Sequence, residues 1–292
     1  MSEPTNIKLH ENPALFRQAV AFTFAQTGFN PRLIEKDYFC TVLLAYLARH
    51  GGSQLVFKGG TCLAKVHAGF YRLSEDLDFV IPLPVDASRT TRSRAVSTIR
   101  EAVADVAVHI PVFALAGSFK GANNSTQYSG TVEYQSPATG QRENILIDVS
   151  VREPLLLPSQ NAPARTLLLD PARNETALPP VTVNCIAMDE AMAEKFRAAL
   201  TRKGVAIRDF YDLDHAVEHL GLAPDNASLV SLIRQKLAVP GTTPMDVSRE
   251  RFDPLTEQLE TQLRTVLRET EFQAFDLDRA IRLVTAMAER LG

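Results

Sequence analysis

The sequence lacks the signatures that would place it in or across a membrane. No run of about 18 apolar residues occurs along its length, so no segment is expected to span a bilayer. The opening stretch MSEPTNIKLHENP has neither a basic n-region nor an apolar h-region, so no secretion signal is expected. Cysteine is scarce. Cys40, Cys62 and Cys185 lie far apart without CxxC spacing, and an odd count with no framework points to a reducing cytoplasm. Positive charge is not in surplus: 31 Lys and Arg against 34 Asp and Glu give a net charge of -3, which excludes a protein that coats nucleic acid by charge alone. A local basic groove remains open, from Arg89, Arg92, Arg94 and Arg100 or from Lys195, Arg197, Arg202, Lys203 and Arg208. Either run also reads as a solvated helix face. There is no GxxxxGK[ST] P-loop. No histidine is placed to activate Ser74, so a serine hydrolase is not indicated.

What is present is the composition of an ordinary globular protein, 45% apolar and 22% charged, in a chain of 292 residues that can bury a substantial core. Asn30-Pro31 reads as an N-cap and first helical position, followed by apolar residues at helical spacing up to Gly51-Gly52. QLVF (54–57) reads as a strand, 61–69 as a short helix, and LDFVI (77–81) as a strand stopped by Pro82. An Arg-rich stretch from 86 to 105 reads as helix. VHIPVFALAG, GTVEYQ and ENILIDVSV follow as strands, and 153–187 is proline-rich and irregular with one strand near 181–186. From Asp189 onward the pattern is helical, including PLTEQLETQLRTVLRE as one segment. The expected layout is an α/β (α+β) core with a mixed sheet flanked by helices over residues 1–185, then a C-terminal helical domain over 186–292 that contributes to the active-site cleft.

Asp-Leu-Asp occurs at 76–78, 212–214 and 276–278. On a strand, residues two apart share a face; on a helix the same spacing turns them about 200° apart. Only Asp76 and Asp78 are expected on a strand, so they alone are fit to share a cation. Asp276 to Asp278 reads as a helix start, where acidic residues suit the dipole. Side by side, two ionised carboxylates are costly unless a cation neutralises them. Oxygen-only ligands suit Mg²⁺, with Mn²⁺ the alternative. Asp148, alone among apolar residues in ILIDVSV, is the candidate third ligand, and a buried structural aspartate is the plain alternative. Gly59-Gly60-Thr61 stands between a strand and a helix, where backbone N–H groups approach a phosphate and Lys58 or Thr61 adds a contact. A Gly-Gly pair also makes plain turns; it is the pairing with the aspartates that points to a nucleotide.

Six motifs in order, EKDY (35–38), KGGTCL (58–63), RLSEDLDF (72–79), IDVS (147–150), EKF (194–196) and RDFYDL (208–213), together resemble the AbiEii/MenT family of toxin nucleotidyltransferases, within the DNA polymerase β-like superfamily. The spacer between glycines and aspartates is slightly longer than in the wider superfamily and suits this family. After residue 213 the resemblance is only in being helical. It implies a nucleotidyltransferase fold, with Gly59, Gly60 and Thr61 on the nucleotide phosphates and Ser74 beside the metal. Asp76, Asp78 and Asp148 would hold the metal. Lys195 matches the family's triphosphate-holding lysine and Asp212 its later essential aspartate, with Asp209 and Arg208 close by on the nucleotide. It further implies transfer of a nucleoside monophosphate from an NTP to RNA, the tRNA 3′ end in particular, and a cognate antitoxin protein in the cytoplasm.

The residues agree in part. Lys195 lies in an apolar-periodic helix, and Asp209 and Asp212 are neighbours on one helical face. Arg208 to Asp212 also reads as a plain i,i+4 salt bridge. His215 and His219 have zinc-site spacing but no third ligand, and read as a surface pair. Cys62 reads as a small packed residue. Two other functions stand beside the toxin reading: a small-molecule, antibiotic-type nucleotidyltransferase, and a non-catalytic nucleotide-binding partner protein.

Overall fold

Residues 8–292 are described by the computed structural model; the first seven residues of the stretch read for a secretion signal lie outside the described residues. Helix α1 (Pro13–Thr27) starts where Asn12 accepts from the Leu15 N–H at 3.2 Å, and stops at Gly28 in the left-handed region, φ +76°. Helix α2 (Pro31–His50) starts at the Asn30 cap and is buried almost throughout.

Strand β1 (Val56–Lys58) runs straight into α3 (Gly59–Cys62) and a π-helical turn (Leu63–His67). Strand β2 (Leu77–Val80) follows, then α4 (Arg89–Ala95), α5 (Ser97–Ala104) and α6 (Val106–His109). Strands β3 (Phe113–Ala122), β4 (Gln127–Gln135), β5 (Arg142–Ser150), β6 (Gln160–Ala164), β7 (Leu169–Asp170), β8 (Glu175–Thr176) and β9 (Val181–Cys185) complete the β-structure. Seven of them form one mixed sheet in the order β3-β4-β5-β2-β1-β9-β6, and β7 pairs with β8 separately. Pairs β2–β5 and β1–β9 are parallel; the other pairs of the sheet are antiparallel.

Alternation sorts the sheet into two faces. Phe57, Leu77, Phe79, Ile147 and Val149 are buried, while Lys58, Asp78 and Asp148 between them are only half-buried.

Three local differences from the sequence reading have physical causes. The VHI of 108–110 ends α6, and Pro111 separates it from β3. Strand β6 contains Pro163, which an edge strand tolerates because its outer side needs no donor. The segment 254–269 is divided into α11 (Pro254–Gln258), a π-turn (Leu259–Leu263) and a 3₁₀ turn (Arg264–Val266).

Contacts divide the chain into two units, one running to Pro154 and taking in Ser159–Ile186, the other made of Leu155–Pro158 and Ala187–Gly292. The second unit is helical: α7 (Met188–Thr201), α8 (Ile207–His219), α9 (Ala227–Leu237), α10 (Arg249–Phe252), α11, α12 (Glu269–Ala274) and α13 (Leu277–Leu291). Asp276 caps α13 by accepting from the Arg279 N–H at 2.9 Å, so this Asp-Leu-Asp is indeed a helix start. Arg279 forks onto Asp214 at 2.6 and 2.7 Å and ties α13 to α8. Buried Lys236 on α9 binds Glu190 at 2.7 Å and Glu194 at 3.1 Å. The same Glu190 carboxylate accepts the N–H groups of Leu156 and Leu157, which is why Leu155–Pro158 belongs to the helical unit.

Candidate active site

The sheet places the sequence-predicted carboxylates in one row. Lys58 on β1 is the register partner of Asp78 on β2, Asp78 of Asp148 on β5, and Asp148 of Ser129 on β4. Register partners point to the same face, so one cation, two carboxylates and a hydroxyl line up across four strands. Asp76 stands two positions ahead of Asp78 on the loop entering β2, near enough for its carboxylate to act on Asp148. Burial and the Asp76 carboxylate push the Asp148 carboxyl above the ordinary carboxylate range; Gln127, donating to Asp148 at 2.6 Å, and Lys58 act against that.

The glycine turn is built against this row. Gly59 has φ +76°, and a Cβ there would meet Asp78 Oδ2 at 2.2 Å. Its lack of a side chain is therefore what lets the turn close on the aspartate. A Cβ on Gly60 would meet Arg72 Nη2 at 2.5 Å and Ser74 Oγ at 3.2 Å, so Ser74 does lie at the turn. Thr61 is buried, and its hydroxyl donates to the Asp76 backbone carbonyl. The side chain thus ties the turn to the start of the aspartate strand.

Sequence reasoning gave Arg72 no role. It is buried, with Nη1 donating to the Leu73 carbonyl at 3.1 Å and its guanidinium at Gly60. The residue stands in RLSEDLDF, but nothing in a sequence separates a buried arginine from the common exposed kind.

The EKDY motif supports the site from behind. Lys36 binds Glu75 at 3.0 Å and Glu143 at 3.7 Å, and Arg32 reaches the same two carboxylates. Glu75 therefore faces α2 while its neighbour Asp76 acts on Asp148. Asp37 binds Lys65 Nζ at 2.5 Å, and its other oxygen accepts the Leu167 N–H at 2.8 Å. Lys65 has no exposed side-chain surface and also donates to Thr41 at 2.7 Å. Charges so deeply buried persist only when fully bonded. Helix α2 thus grips the π-turn beyond the glycines and the segment before Asp76.

The helical unit gathers the remaining predicted residues. Lys195 on α7 lies between Asp209 and Asp212 of α8, at 2.8 and 2.7 Å. Arg202 adds a contact to Asp209 at 3.2 Å, and Arg208 is half-buried on α8. Asp212 is thus ion-paired with Lys195. His215 and His219 lie with ring centroids 4.7 Å apart and their planes tilted by 48°, and His215 is half-buried, its pKa lowered to about 4 chiefly by burial. With Tyr211, Asp214 and Arg279 the two histidines line a cavity of about 360 Å³.

This mixed sheet flanked by helices is the α/β fold of a nucleotidyltransferase. MenT4, a nucleotidyltransferase toxin from Mycobacterium tuberculosis H37Rv, shares it at TM-score 0.53 and 23% identity, covering 94% of this chain and 98% of that one. JHP933 from Helicobacter pylori is 16% identical at TM-score 0.49, covering 90% of this chain and 93% of its own. Comparison with curated proteins gives no match. The family model "Nucleotidyl transferase AbiEii toxin, Type IV TA system" matches residues 42–286, and the chain belongs to that family. Membership implies a nucleotide substrate and an antitoxin partner. The matched span reaches well past residue 213, so the C-terminal helices are part of the family resemblance rather than merely helical; EKDY lies just before it. Among the described residues, no helix is long and apolar enough to cross a membrane.

Proposed function

We propose that the protein transfers a nucleoside monophosphate from an NTP to an RNA acceptor, the tRNA 3′ end in particular, in a Mg²⁺-dependent reaction. The observation that carries this reading is the row Lys58–Asp78–Asp148, with Asp76 acting on Asp148 from the loop before β2 and the Gly59 turn closed against Asp78.

The donor set suits Mg²⁺ or Mn²⁺: carboxylates only, half-buried, one of them raised by burial and by its acidic neighbour, which is the repulsion a divalent cation relieves. Held by Asp76, Asp78 and Asp148, such an ion would neutralise the triphosphate and ease ionisation of the acceptor hydroxyl. The chain's own groups do the rest. Backbone N–H groups of Gly59 and Gly60 receive phosphate oxygens, and Lys58 and Arg72 offset their charge. Ser74 flanks the turn. Lys195 enters the reading as a triphosphate contact, with Asp209 and Asp212 holding its ammonium in place and Arg208 a further nucleotide contact.

The test is to incubate the protein with each of four α-³²P-labelled NTPs and total RNA and to size the products. Label in the tRNA band with one or more NTPs is expected, and its loss in Asp76→Ala with the circular dichroism spectrum unchanged. Full transfer by Asp76→Ala, or no label in RNA from the wild type, overturns the reading.

A further inference from the structure

One group of side chains takes no part in the proposed transfer. The sulfurs of Cys62 and Cys185 and one ring nitrogen of His67 all lie within 4.8 Å of one another. The topology brings them there. Strand β9 runs parallel to β1 with Cys185 opposite Phe57, and Cys62 ends α3, the turn that follows β1. The π-turn then carries His67 to the end of β9, where its Nε2 lies 3.0 Å from the Ile186 carbonyl. A carbonyl only accepts, so Nε2 bears the proton and the lone pair of the neutral ring is on Nδ1. Metal-binding histidines are held in this way, the other ring nitrogen donating to a carbonyl.

Both cysteines are fully buried, and His67 is half-buried.

We propose that Cys62, His67 and Cys185 bind a thiophilic divalent cation, Zn²⁺, at a site separate from the carboxylate row. Tetrahedral zinc with ordinary Zn–S and Zn–N bonds sets its ligand atoms about 3.5–3.8 Å apart, and the three atoms here already lie within 4.8 Å of one another. Two sulfurs and an imidazole favour zinc over Mg²⁺, and the three leave a fourth position for water. Cys62 and Cys185 both bind as thiolates, each thiol releasing its proton to solvent as its Zn–S bond forms. Cys62 directly follows Thr61, whose hydroxyl holds the Asp76 carbonyl, so the ion braces the glycine turn from behind.

The test uses the full-length reduced protein titrated with Co²⁺ and then Zn²⁺. One equivalent of Co²⁺ is expected to produce a sulfur-to-cobalt charge-transfer band with the visible bands of a four-coordinate site, both erased by Zn²⁺. The bands are expected to vanish in Cys185→Ser and Cys62→Ser, to weaken in His67→Gln, and to persist in Cys40→Ser. They are also expected to persist in Asp76→Ala, so the result is independent of whether nucleotide transfer is found. A folded wild type without the thiolate band, full zinc binding by folded Cys185→Ser, or a Cys62–Cys185 disulfide in place of metal overturns the proposal. Should the serine variants fail to fold, the band in wild type and its weakening in His67→Gln decide it.

Discussion

Asp78 and Asp148 are register partners on neighbouring parallel strands, their carboxyl groups on one face of the sheet. Nothing local joins them. They meet because β5 lies beside β2, and burial there, with the Asp76 carboxylate close by, raises the pKa of Asp148.

A carboxyl with its folded pKa raised is protonated more readily in the folded state, so the ionised form costs stability once pH exceeds the ordinary carboxylate range. Asp148→Asn is therefore expected to raise Tm in EDTA at pH 7 while lowering transfer on the order of 100-fold or more, the trade expected of a functional charge. Thermal unfolding with and without EDTA checks it. A lower Tm in EDTA contradicts the account.

Gly59→Ala forces a residue with a Cβ into the left-handed region, at about 1–2 kcal/mol, and drives that Cβ into the Asp78 carboxylate. Transfer should fall steeply with the fold retained. Gly60→Ala meets side-chain atoms of Arg72 and the Ser74 hydroxyl and lacks the positive φ, so its loss should be smaller. Kinetics of the two variants at saturating NTP make the comparison; equal losses would contradict the close-approach argument.

Removing one partner of the buried Lys65–Asp37 pair leaves a charge stranded, and Asp37→Ala is expected to cost about 3–5 kcal/mol in urea unfolding. Asp37→Leu combined with Lys65→Met should recover much of that loss. If the double variant is as unstable as the sum of the singles, the pair is not coupled as its geometry indicates.

Lys195 makes ion pairs with two aspartates, and Arg202 also contacts Asp209. Lys195→Met removes both of these pairs and should destabilise the helical unit more than Asp209→Ala or Asp212→Ala, each of which removes only one of them. Chemical denaturation of the three variants ranks them.

His215 has its folded pKa lowered to about 4 by burial, so the unfolded chain binds its proton first. Stability should therefore rise with pH between about 4 and 6.5, the ordinary histidine value. His215→Gln should flatten that part of the curve. An unchanged slope would show that other groups govern it.

Much of this was legible from residue order. Asn30-Pro31 and Asp276 announced their helices because caps are local chemistry. The strand at 77–80 was readable from alternation, and that alone separated Asp76 and Asp78 from two identical triplets on helices. The edge strand with Pro163 was not, since proline is excluded from strands only where a donor is needed, and the sequence does not say which strand is an edge. Cys62 likewise looked like an isolated packed residue.

By itself, then, the sequence determined most of the local elements, the strand that carries Asp78, and a set of ordered motifs sufficient for family resemblance. Only the tertiary structure decided which distant residues meet: Lys58 and Asp148 on either side of Asp78, Arg72 behind Gly60, Asp37 on Lys65, and Cys185 with Cys62 and His67. The reason is that period and capping act within a few residues, whereas strand order and register are set by burial of the whole sheet. A one-residue slip there would turn Asp78 or Asp148 to the opposite face.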